Sequence, residues 1–396
     1  MREGWQCKKV GELVQVLNGY AFKSYLYEDQ GIRVLRITNV QKGKIVDEDP
    51  KYYPLSLTDE IRNFLLKEND LLMSLTGNVG RVGLLAKEML PAALNQRVAC
   101  LRILSDCLNL RFLFHYLNSD KFEQDAILSA KGIAQKNMST EWLKDYKLPI
   151  PPLSVQLSIV SELDKINELI RLKKEQLGDY DKLAQSLFYE IFGDPVENEK
   201  GWEVNKLSSI TSKIGSGATP KGGNESYKTE GISLIRSLNV HNNEFLYKDL
   251  AHIDNEQAET LSNVEIKECD VLLNITGASV ARCCIVPKDV IPARVNQHVC
   301  IVRVIQEKAL PIYINRVLTN ETFQTNLLRL ARSKAATREA LPKSIVDNIQ
   351  VPLPPLALQN LFAQRIELIE KQKAEIKSTI ADLETLLASR IQYWFD

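Results

Sequence analysis

The chain has 396 residues, of which 44% are hydrophobic, and this excludes an intrinsically disordered protein and provides material for several compact cores. It carries 50 basic and 50 acidic residues, so its formal net charge is +0. This balance excludes a uniformly basic nucleic-acid binder, because such proteins neutralise phosphates with an excess of Lys and Arg. Any DNA-binding surface must therefore gather its basic residues on one face or share the DNA with partner subunits.

The N-terminal residues 1–5 lack the apolar core of a signal peptide, and no stretch is apolar for long enough to span a bilayer. The seven cysteines form no C-x-x-C pair, and the four histidines have no metal-ligand spacing. Only His298 and Cys300 lie close together, which is typical of a strand with one buried thiol. We therefore expect a cytoplasmic protein with no membrane segment and no metal.

Residues 5–148 contain short β-rich runs that are separated by Gly, Asn and Pro. The clearest runs lie at residues 32–37, 71–75 and 98–103, and residues 110–117 have a helical pattern. The sequence therefore predicts a mixed α/β domain over residues 1–148, with much strand and many loops.

A proline-rich segment at residues 148–153 forces an extended backbone, and a helical pattern follows it. Over residues 149–196, apolar residues alternate at spacings of three and four, interrupted only at Lys173, as in a heptad seam. Gly193 and Pro195 are typical of a helix end. The residues predicted to form this seam are Leu163, Ile166, Ile170, Leu177, Tyr180 and Leu187.

The second half of the chain repeats the first at an offset that climbs only from 197 to 203. Residues 70–77 recur as 270–277, Asn95-Gln96 recurs as Asn296-Gln297, and residues 148–153 recur as 351–356. We therefore predict a second domain over residues 197–350 and a second spacer helix over residues 351–396. The seam residues predicted on this helix are Ile366, Ile369, Ile376, Ile380, Leu383 and Leu387.

Each of these helices, at about 40 residues, would be about 60 Å long. Because an exposed apolar seam is unfavourable in water, the two seams should pair with each other. If an approximate twofold axis relates the two units, that pairing is antiparallel. We predict an α+β fold of two mixed α/β domains, each followed by a long helix, with the helices paired as an antiparallel coiled coil.

Motifs for catalysis are scarce in this sequence. The glycine-rich residues 215–223 lack the final Lys-Ser/Thr of a phosphate-binding loop, so we interpret them as a flexible loop. No G-x-G-x-x-G opens a βαβ unit, and the Asn/Asp-Pro-Pro-aromatic motif of amino-methyltransferases is missing. Glu265 and Lys267 have a nuclease-like spacing but no paired acidic strand, so we interpret them as structural. We predict no catalytic residue and no cofactor in this chain.

Several motifs occur in the same order along the chain. They are the Pro-Pro-Leu-x-x-Gln helix starts at residues 151–156 and 354–359, the segments 70–77 and 270–277 with a following Arg81 or Arg282, and the helix end at residues 188–195. Together they resemble the specificity subunit of Type I restriction–modification systems over essentially the full chain. The family pattern Gly-x-x-Gln matches Gly132 and Gln135, whereas the second copy has Ala335 and Arg338 in those places.

The resemblance implies a non-catalytic subunit with two target-recognition domains, each of which reads one half of a split, asymmetric DNA site. It also implies that two modification subunits, which carry S-adenosylmethionine and methylate adenine, dock on the paired helices, and that motor-nuclease restriction subunits join for cleavage. A rigid helical spacer suits a fixed gap, since moving a half-site by one base pair also rotates it around the duplex. Two other interpretations stay open: a coiled-coil scaffold and a DNA-modifying enzyme with an unrecognised active site.

Polar loop residues in both copies are our candidates for DNA contact. The Thr-Gly segments are either tight turns that need Gly or donors to phosphates and base edges. The Asn-Gln pairs could read adenine, although we favour a buried amide network, and the basic loops ahead of the helices either grip phosphates or form a solvated charged face. The candidates are Thr76, Gly77, Asn78, Arg81, Asn95, Gln96, Arg97, Lys131, Gln135, Lys136, Thr276, Gly277, Arg282, Asn296, Gln297, Arg332, Lys334 and Arg338.

Overall fold

A computed structural model describes residues 3–130, 136–220, 222–333 and 339–395, apart from the side chain of Asn224. The chain divides into two compact units. Unit 1 comprises Met1–Glu175 and Lys377–Asp396, and unit 2 comprises Gln176–Ile376. Each unit therefore combines one copy of the repeated domain with segments of both long helices.

Unit 1 alternates short strands with short helices and ends in part of a long helix. Its strands are β1 (Gln6–Lys9), β2 (Val14–Asn18), β3 (Ile32–Leu35), β4 (Val40–Gln41), β5 (Lys44–Ile45), β6 (Tyr52–Tyr53), β7 (Leu71–Ser74), β8 (Val82–Leu84), β9 (Ala92–Leu94), β10 (Val98–Ile103) and β11 (Lys147–Ile150). Its helices are α1 (Val10–Leu13), α2 (Leu110–Leu117), α3 (Asp120–Ser129), α4 (Thr140–Asp145) and the first part of α5 (Leu153–Phe192). The strands β3, β7 and β10 and the helix α2 confirm the elements predicted from the sequence.

The central sheet of unit 1 is antiparallel, with the strand order β2-β10-β7-β8. A second sheet, β6-β3-β9, pairs β3 with β9 in parallel, while β1 pairs with β11 and β4 with β5. Every residue of β7 is buried because both faces of the central sheet are covered. Leu71 and Met73 belong to one hydrophobic cluster, and Leu72 between them belongs to another.

Unit 2 has the same order of strands, although it has no α-helix between its first two strands and has an additional one between its sixth and seventh strands. Its strands are β12 (Val204–Lys206), β13 (Thr211–Ser216), β14 (Ile232–Ile235), β15 (Val240–His241), β16 (Glu244–Phe245), β17 (Ala251–Ile253), β18 (Val271–Asn274), β19 (Cys283–Ile285), β20 (Ala293–Val295), β21 (Val299–Val304) and β22 (Gln350–Pro352). Its helices are α6 (Asn255–Thr260), α7 (Pro311–Leu318), α8 (Glu321–Ser333), α9 (Lys343–Asp347) and the first part of α10 (Leu356–Phe395). The sheets β13-β21-β18-β19 and β17-β14-β20 and the pairs β12-β22 and β15-β16 reproduce the topology of unit 1.

Each domain packs against the start of the helix that follows it and the end of the other long helix. In unit 1, Phe395 of α10 contacts Phe112 of α2, with ring centroids 5.7 Å apart. In unit 2, Phe192 near the end of α5 contacts both Tyr313 of α7 and Phe362 of α10. These aromatic contacts join the helices to the two domain cores.

The helices α5 and α10 are each 40 residues long and run antiparallel. In unit 1, Lys174 lies 2.7 Å from Glu384, and Glu162 pairs with Arg390 further along α10. In unit 2, Lys373 lies 2.7 Å from Asp181. Partners later in α5 thus lie earlier in α10, which confirms the predicted antiparallel pairing.

The predicted seam residues lie at the inner surfaces of the two helices. Leu163, Ile166, Ile170, Leu187, Ile366, Ile369, Ile376 and Ile380 are buried, while Leu177, Tyr180, Leu383 and Leu387 are half-buried. Lys373, which interrupts the second seam, is largely covered and makes ion pairs with Asp181 and Glu370. A charged residue is retained in this seam because it has carboxylate partners on both helices.

Two expectations from the sequence of unit 2 have different outcomes. The interpretation of residues 215–223 as a flexible loop is wrong for Gly215 and Ser216, which lie in β13. The predicted strand with one buried thiol is confirmed, because Cys300 is buried in β21 and His298 lies in the turn before that strand. Burial raises the pKa of the Cys300 thiol to about 12, which keeps this sulfur protonated.

Two kinds of feature are absent from the described ranges. None of their helices is both long and apolar enough to cross a membrane. No group of three or more His, Cys, Asp or Glu side chains in the part of the chain that the structure describes is arranged to hold a metal ion.

Candidate nucleic-acid interface

The Thr-Gly loop that follows β7 is fixed to the segment before α4. The N–H of Gly77 donates to the carbonyl of Lys136 at 3.0 Å, and the hydroxyl of Thr76 donates to Oδ1 of Asn137 at 2.7 Å. Gly77 has a φ of +76°, in the left-handed region that favours glycine. The loop is therefore a tight turn held by hydrogen bonds, and it leaves Asn78 exposed.

The equivalent loop after β18 in unit 2 has the same main-chain attachment with different side chains. The N–H of Gly277, whose φ is +77°, donates to the carbonyl of Glu339 at 3.0 Å. Oγ1 of Thr276 lies 2.5 Å from Nδ1 of His298 instead of contacting the segment before α9. In both units the Gly N–H already has a protein partner, so it is not a free donor for phosphate.

The Asn-Gln pairs form a turn that leads into β10 or β21. Oδ1 of Asn95 accepts from the N–H of Arg97 at 3.2 Å, and Oδ1 of Asn296 accepts from the N–H of His298 at 3.0 Å. Asn296 is buried, whereas the glutamine beside each asparagine, Gln96 or Gln297, is exposed. The asparagines thus hold the turn, and the glutamines present their amides to solvent.

Two glycines allow a neighbouring strand to approach this turn. A Cβ on Gly19 would lie 2.2 Å from the carbonyl oxygen of Asn95, and one on Gly217 would lie 1.7 Å from that of Val295. Any other residue would therefore displace the backbone there. This close approach brings the residues after Gly19 and Gly217 beside the exposed glutamines.

The arginine that follows each Thr-Gly loop contacts a residue that the sequence did not indicate. Nη1 of Arg81 donates to Oε1 of Gln41 at 2.8 Å, while Nη1 of Arg282 lies 3.5 Å from Nε2 of His241. Gln41 and His241 end the short strands β4 and β15. One signal in the sequence could have indicated them: they hold equivalent positions in the two copies but have different side chains.

Unit 2 contains a cavity of about 550 Å³ beside these residues. Its wall combines predicted site residues with others that were not predicted. Among its lining residues are Thr276, Gly277, Arg282, His241, His298 and Glu339. The cavity therefore presents a hydroxyl, a guanidinium, two imidazoles and a carboxylate, a set that can donate to and accept from a polar ligand.

The basic residues predicted ahead of the long helices are only partly described. Lys136 is exposed, and Arg332 is exposed but donates to Glu339 at 2.7 Å. The remaining predicted residues of these loops lie outside the described ranges: Lys131, Gln135, Lys334 and Arg338.

The Gln of each Pro-Pro-Leu-x-x-Gln motif attaches a long helix to its domain. Gln156 is fully buried, accepts from the N–H of Asn109 at 2.8 Å, and donates to the carbonyls of Cys107 and Pro151. Gln359 accepts from the N–H of Leu310 and donates to the carbonyl of Pro354, both at 2.8 Å. The motif that carried the family resemblance therefore has a structural role.

Comparison with known proteins returns one family and several relatives. The family model described as "Type I restriction modification DNA specificity domain" matches residues 2–178 and again residues 199–385. The Type I restriction enzyme EcoBI specificity subunit of Escherichia coli is 24% identical over 397 residues, covering 93% of this chain and 79% of that protein. The MjaVIII specificity subunit of Methanocaldococcus jannaschii is 28% identical over 189 residues, covering 47% of this chain and 44% of that protein.

Solved structures share the fold. The Type I restriction–modification S subunit from M. genitalium aligns with a TM-score of 0.57 at 15% identity, covering 99% of this chain and 96% of the other. A chain from a structural study of complex assembly in a type I system aligns with a TM-score of 0.58 at 17% identity, covering 100% and 98% of the two chains. At these identities, the likeness concerns the fold.

Proposed function

Since the chain belongs to the Type I restriction modification DNA specificity family, we propose that it is the specificity subunit of such a system and selects the DNA site. Each domain reads one half of a split, asymmetric site. In this assignment the chain itself carries no catalytic residue, and S-adenosylmethionine is bound by the modification subunits. As part of the same proposal, we place the assembly and the DNA that it binds in the cytoplasm.

One observation carries this proposal: a common framework presents different side chains in the two units. The turn that exposes Gln96 is followed by Arg97 in unit 1, and the turn that exposes Gln297 is followed by His298 in unit 2. Base edges are distinguished by the donors and acceptors that face them. Two surfaces with one geometry and different chemistry suit two half-sites with different sequences.

We further propose that the paired helices set the gap between the half-sites and bind the other subunits. Exposed leucines line the outer faces of both helices. So many apolar side chains in contact with water are unfavourable, and they are typical of a surface that binds a partner. They are Leu157, Leu169, Leu172, Leu183, Leu361, Leu368 and Leu386. Two modification subunits would cover these faces, and restriction subunits would join them. The proposed limits are residues 1–148 and 197–350 for the domains and 149–196 and 351–396 for the spacer helices.

Methylation mapping in cells that carry this chain and its cognate modification subunit tests the proposal. We expect a methylated motif of two different half-sites separated by a fixed gap of unspecified bases. Cells with the modification subunit alone are the control and should lack the motif. A continuous palindromic motif, or no motif that depends on this chain, would contradict the proposal. Turnover by the purified chain alone with S-adenosylmethionine or Mg²⁺ would instead indicate an enzyme.

A further inference from the structure

The amide of Gln297 is held from two sides, although the residue is exposed. The hydroxyl of Thr219 donates to Oε1 of Gln297, and Nε2 of Gln297 lies 3.1 Å from Nε2 of His298. Thr219 is brought to this position by the close approach of Gly217 to Val295. The orientation of the amide is thus set by neighbours on two different segments of unit 2.

The histidine that contacts Gln297 is itself fixed. Its Nδ1 lies 2.5 Å from Oγ1 of Thr276, and its backbone N–H donates to Asn296. When the amide nitrogen of Gln297 donates to Nε2 of His298, that ring nitrogen accepts and the Nδ1–H donates to Thr276. A chain of four polar side chains, Thr219, Gln297, His298 and Thr276, therefore sets which end of the amide is the donor.

The unused hydrogen-bonding capacity of this amide matches one base. A glutamine side chain has two N–H donors and an oxygen with two lone pairs, and each of its two contacts uses one of them. One N–H and one lone pair remain, on a side chain that is exposed to solvent. In the major groove adenine offers the N7 acceptor beside the N6 amino donor, whereas guanine offers two acceptors.

We infer that Gln297 reads an adenine in the half-site of unit 2, with Thr219 and His298 as positioning residues that orient its amide. This inference rests on the proposed function and specifies which base one side chain recognises. Preorganisation matters here because an amide that is free to turn by 180° exchanges its donor and acceptor. A fixed amide therefore discriminates between bases and loses less side-chain entropy on binding.

Unit 1 lacks both positioning side chains. If Gly19 is matched with Gly217, Ala21 stands in the place of Thr219, and a methyl group cannot donate a hydrogen bond. Arg97 stands in the place of His298 and has no acceptor for an amide N–H. The fixed amide is thus a feature of unit 2, so the inference applies to one half-site.

The test uses the full chain with its modification subunits and duplexes that carry the mapped site. At each adenine of the half-site that unit 2 reads, adenine is replaced by 7-deazaadenine, which lacks the N7 acceptor, or by 2-aminopurine, which lacks the 6-amino donor. With the wild-type chain, one position should lose about 5- to 150-fold in affinity with either analogue. With Gln297→Ala, the analogues should bind as well as adenine at that position.

The positioning residues are tested by the preference for adenine over other bases, and not by the overall affinity for the site. Thr219→Val and His298→Leu should each reduce the preference for adenine at that one position, while every position of the other half-site keeps its preference. His298→Gln places an amide oxygen that can accept from Gln297, so it should restore part of the preference. A purely structural role would instead weaken binding at all positions alike and would not be rescued in this way.

Gln306→Ala is the matched control, since Gln306 is an exposed glutamine just beyond the opposite end of β21. It should leave the preference at all positions unchanged. If Gln297→Ala keeps the full base preference at every position of the split site, the inference is overturned and the proposed function stands. If methylation mapping finds no split site, the proposed function itself fails, so the two failures are distinguishable.

Discussion

Units 1 and 2 share several buried polar contacts but differ at the candidate interface. Arg102 makes a two-pronged ion pair with Asp70, at 2.8 and 2.7 Å, and Arg303 makes the same pair with Asp270 at the same distances. The residues of the candidate interface differ, as in the half-buried Gln41 against His241 and the exposed Arg97 against the half-buried His298. The comparison shows that the loops are fixed by buried groups, so the side chains they present can change without loss of the fold.

Insertion of one heptad at the middle of both α5 and α10 should have the largest effect. Seven helical residues add about 10.5 Å, which corresponds to about three base pairs of duplex. The helices would no longer hold both domains on the original site, although neither domain is altered. We expect the mapped gap to lengthen by about three base pairs or methylation to be lost. An unchanged gap would refute the spacer role. A heptad inserted in only one helix should abolish the pairing of α5 with α10.

Removal of either buried aspartate tests whether the two frameworks are equivalent. Asp270 is fully buried and Asp70 nearly so. Removal of either aspartate leaves its arginine partner without a carboxylate. We expect Asp70→Ala and Asp270→Ala each to destabilise its own unit by about 2 kcal/mol, because a half-buried guanidinium and the N–H of Lys67 or Lys267 lose their acceptor. Hydrogen exchange of the full chain, followed unit by unit, measures this. A large loss in one unit and none in the other would show that the frameworks differ.

Arg332 tests whether unit 2 makes a phosphate contact that unit 1 lacks. It is exposed and paired with Glu339, and unit 1 has no such arginine at the described positions of the equivalent loop. If Arg332 contacts a phosphate, Arg332→Ala should weaken binding of all sequences and reduce the slope of log affinity against log salt by about one. Glu339→Gln, which frees the guanidinium, should leave the slope unchanged or steeper. An unchanged slope in Arg332→Ala would exclude a phosphate contact.

The smallest expected effect concerns the acid stability of unit 1. Burial raises the pKa of Asp164, but hydrogen bonds from His115 and Arg111 outweigh it and lower that pKa to about 2. A carboxyl group with a lowered pKa stabilises the folded state above its ordinary pKa, and this contribution is lost as the pH falls through the lowered value. The difference in melting temperature between wild type and Asp164→Asn should therefore be full above about pH 4 and disappear toward about pH 2. A difference that does not change with pH would exclude this linkage.

The sequence predicted those parts of the fold that depend on local patterns. Helix α5 follows from its apolar spacing and from Gly193, and strand β10 follows from its run of β-branched and apolar residues. The repeat then allowed the second domain to be inferred from the first. Local patterns were sufficient here because buried strands and seams impose a strict period.

The candidate interface was only partly predictable. Asn95 and Gln96 look alike in sequence, yet one holds a turn and the other is exposed. Gln41 and Thr219 reach the interface through a hairpin and a close strand approach, respectively. Their partners there, Arg81 and Gln297, lie far away in the chain, and composition and spacing do not encode such contacts.

The joint between each domain and its helix has a further consequence. The side chain of Gln156 bonds only to main-chain N–H and C=O groups, and so does that of Gln359. Every amino acid except proline supplies both groups, so the joint does not depend on which side chains the attached domain carries. A gene that exchanged one domain for a divergent copy would keep the same joint. New combinations of half-sites could thus arise by recombination without refitting the scaffold.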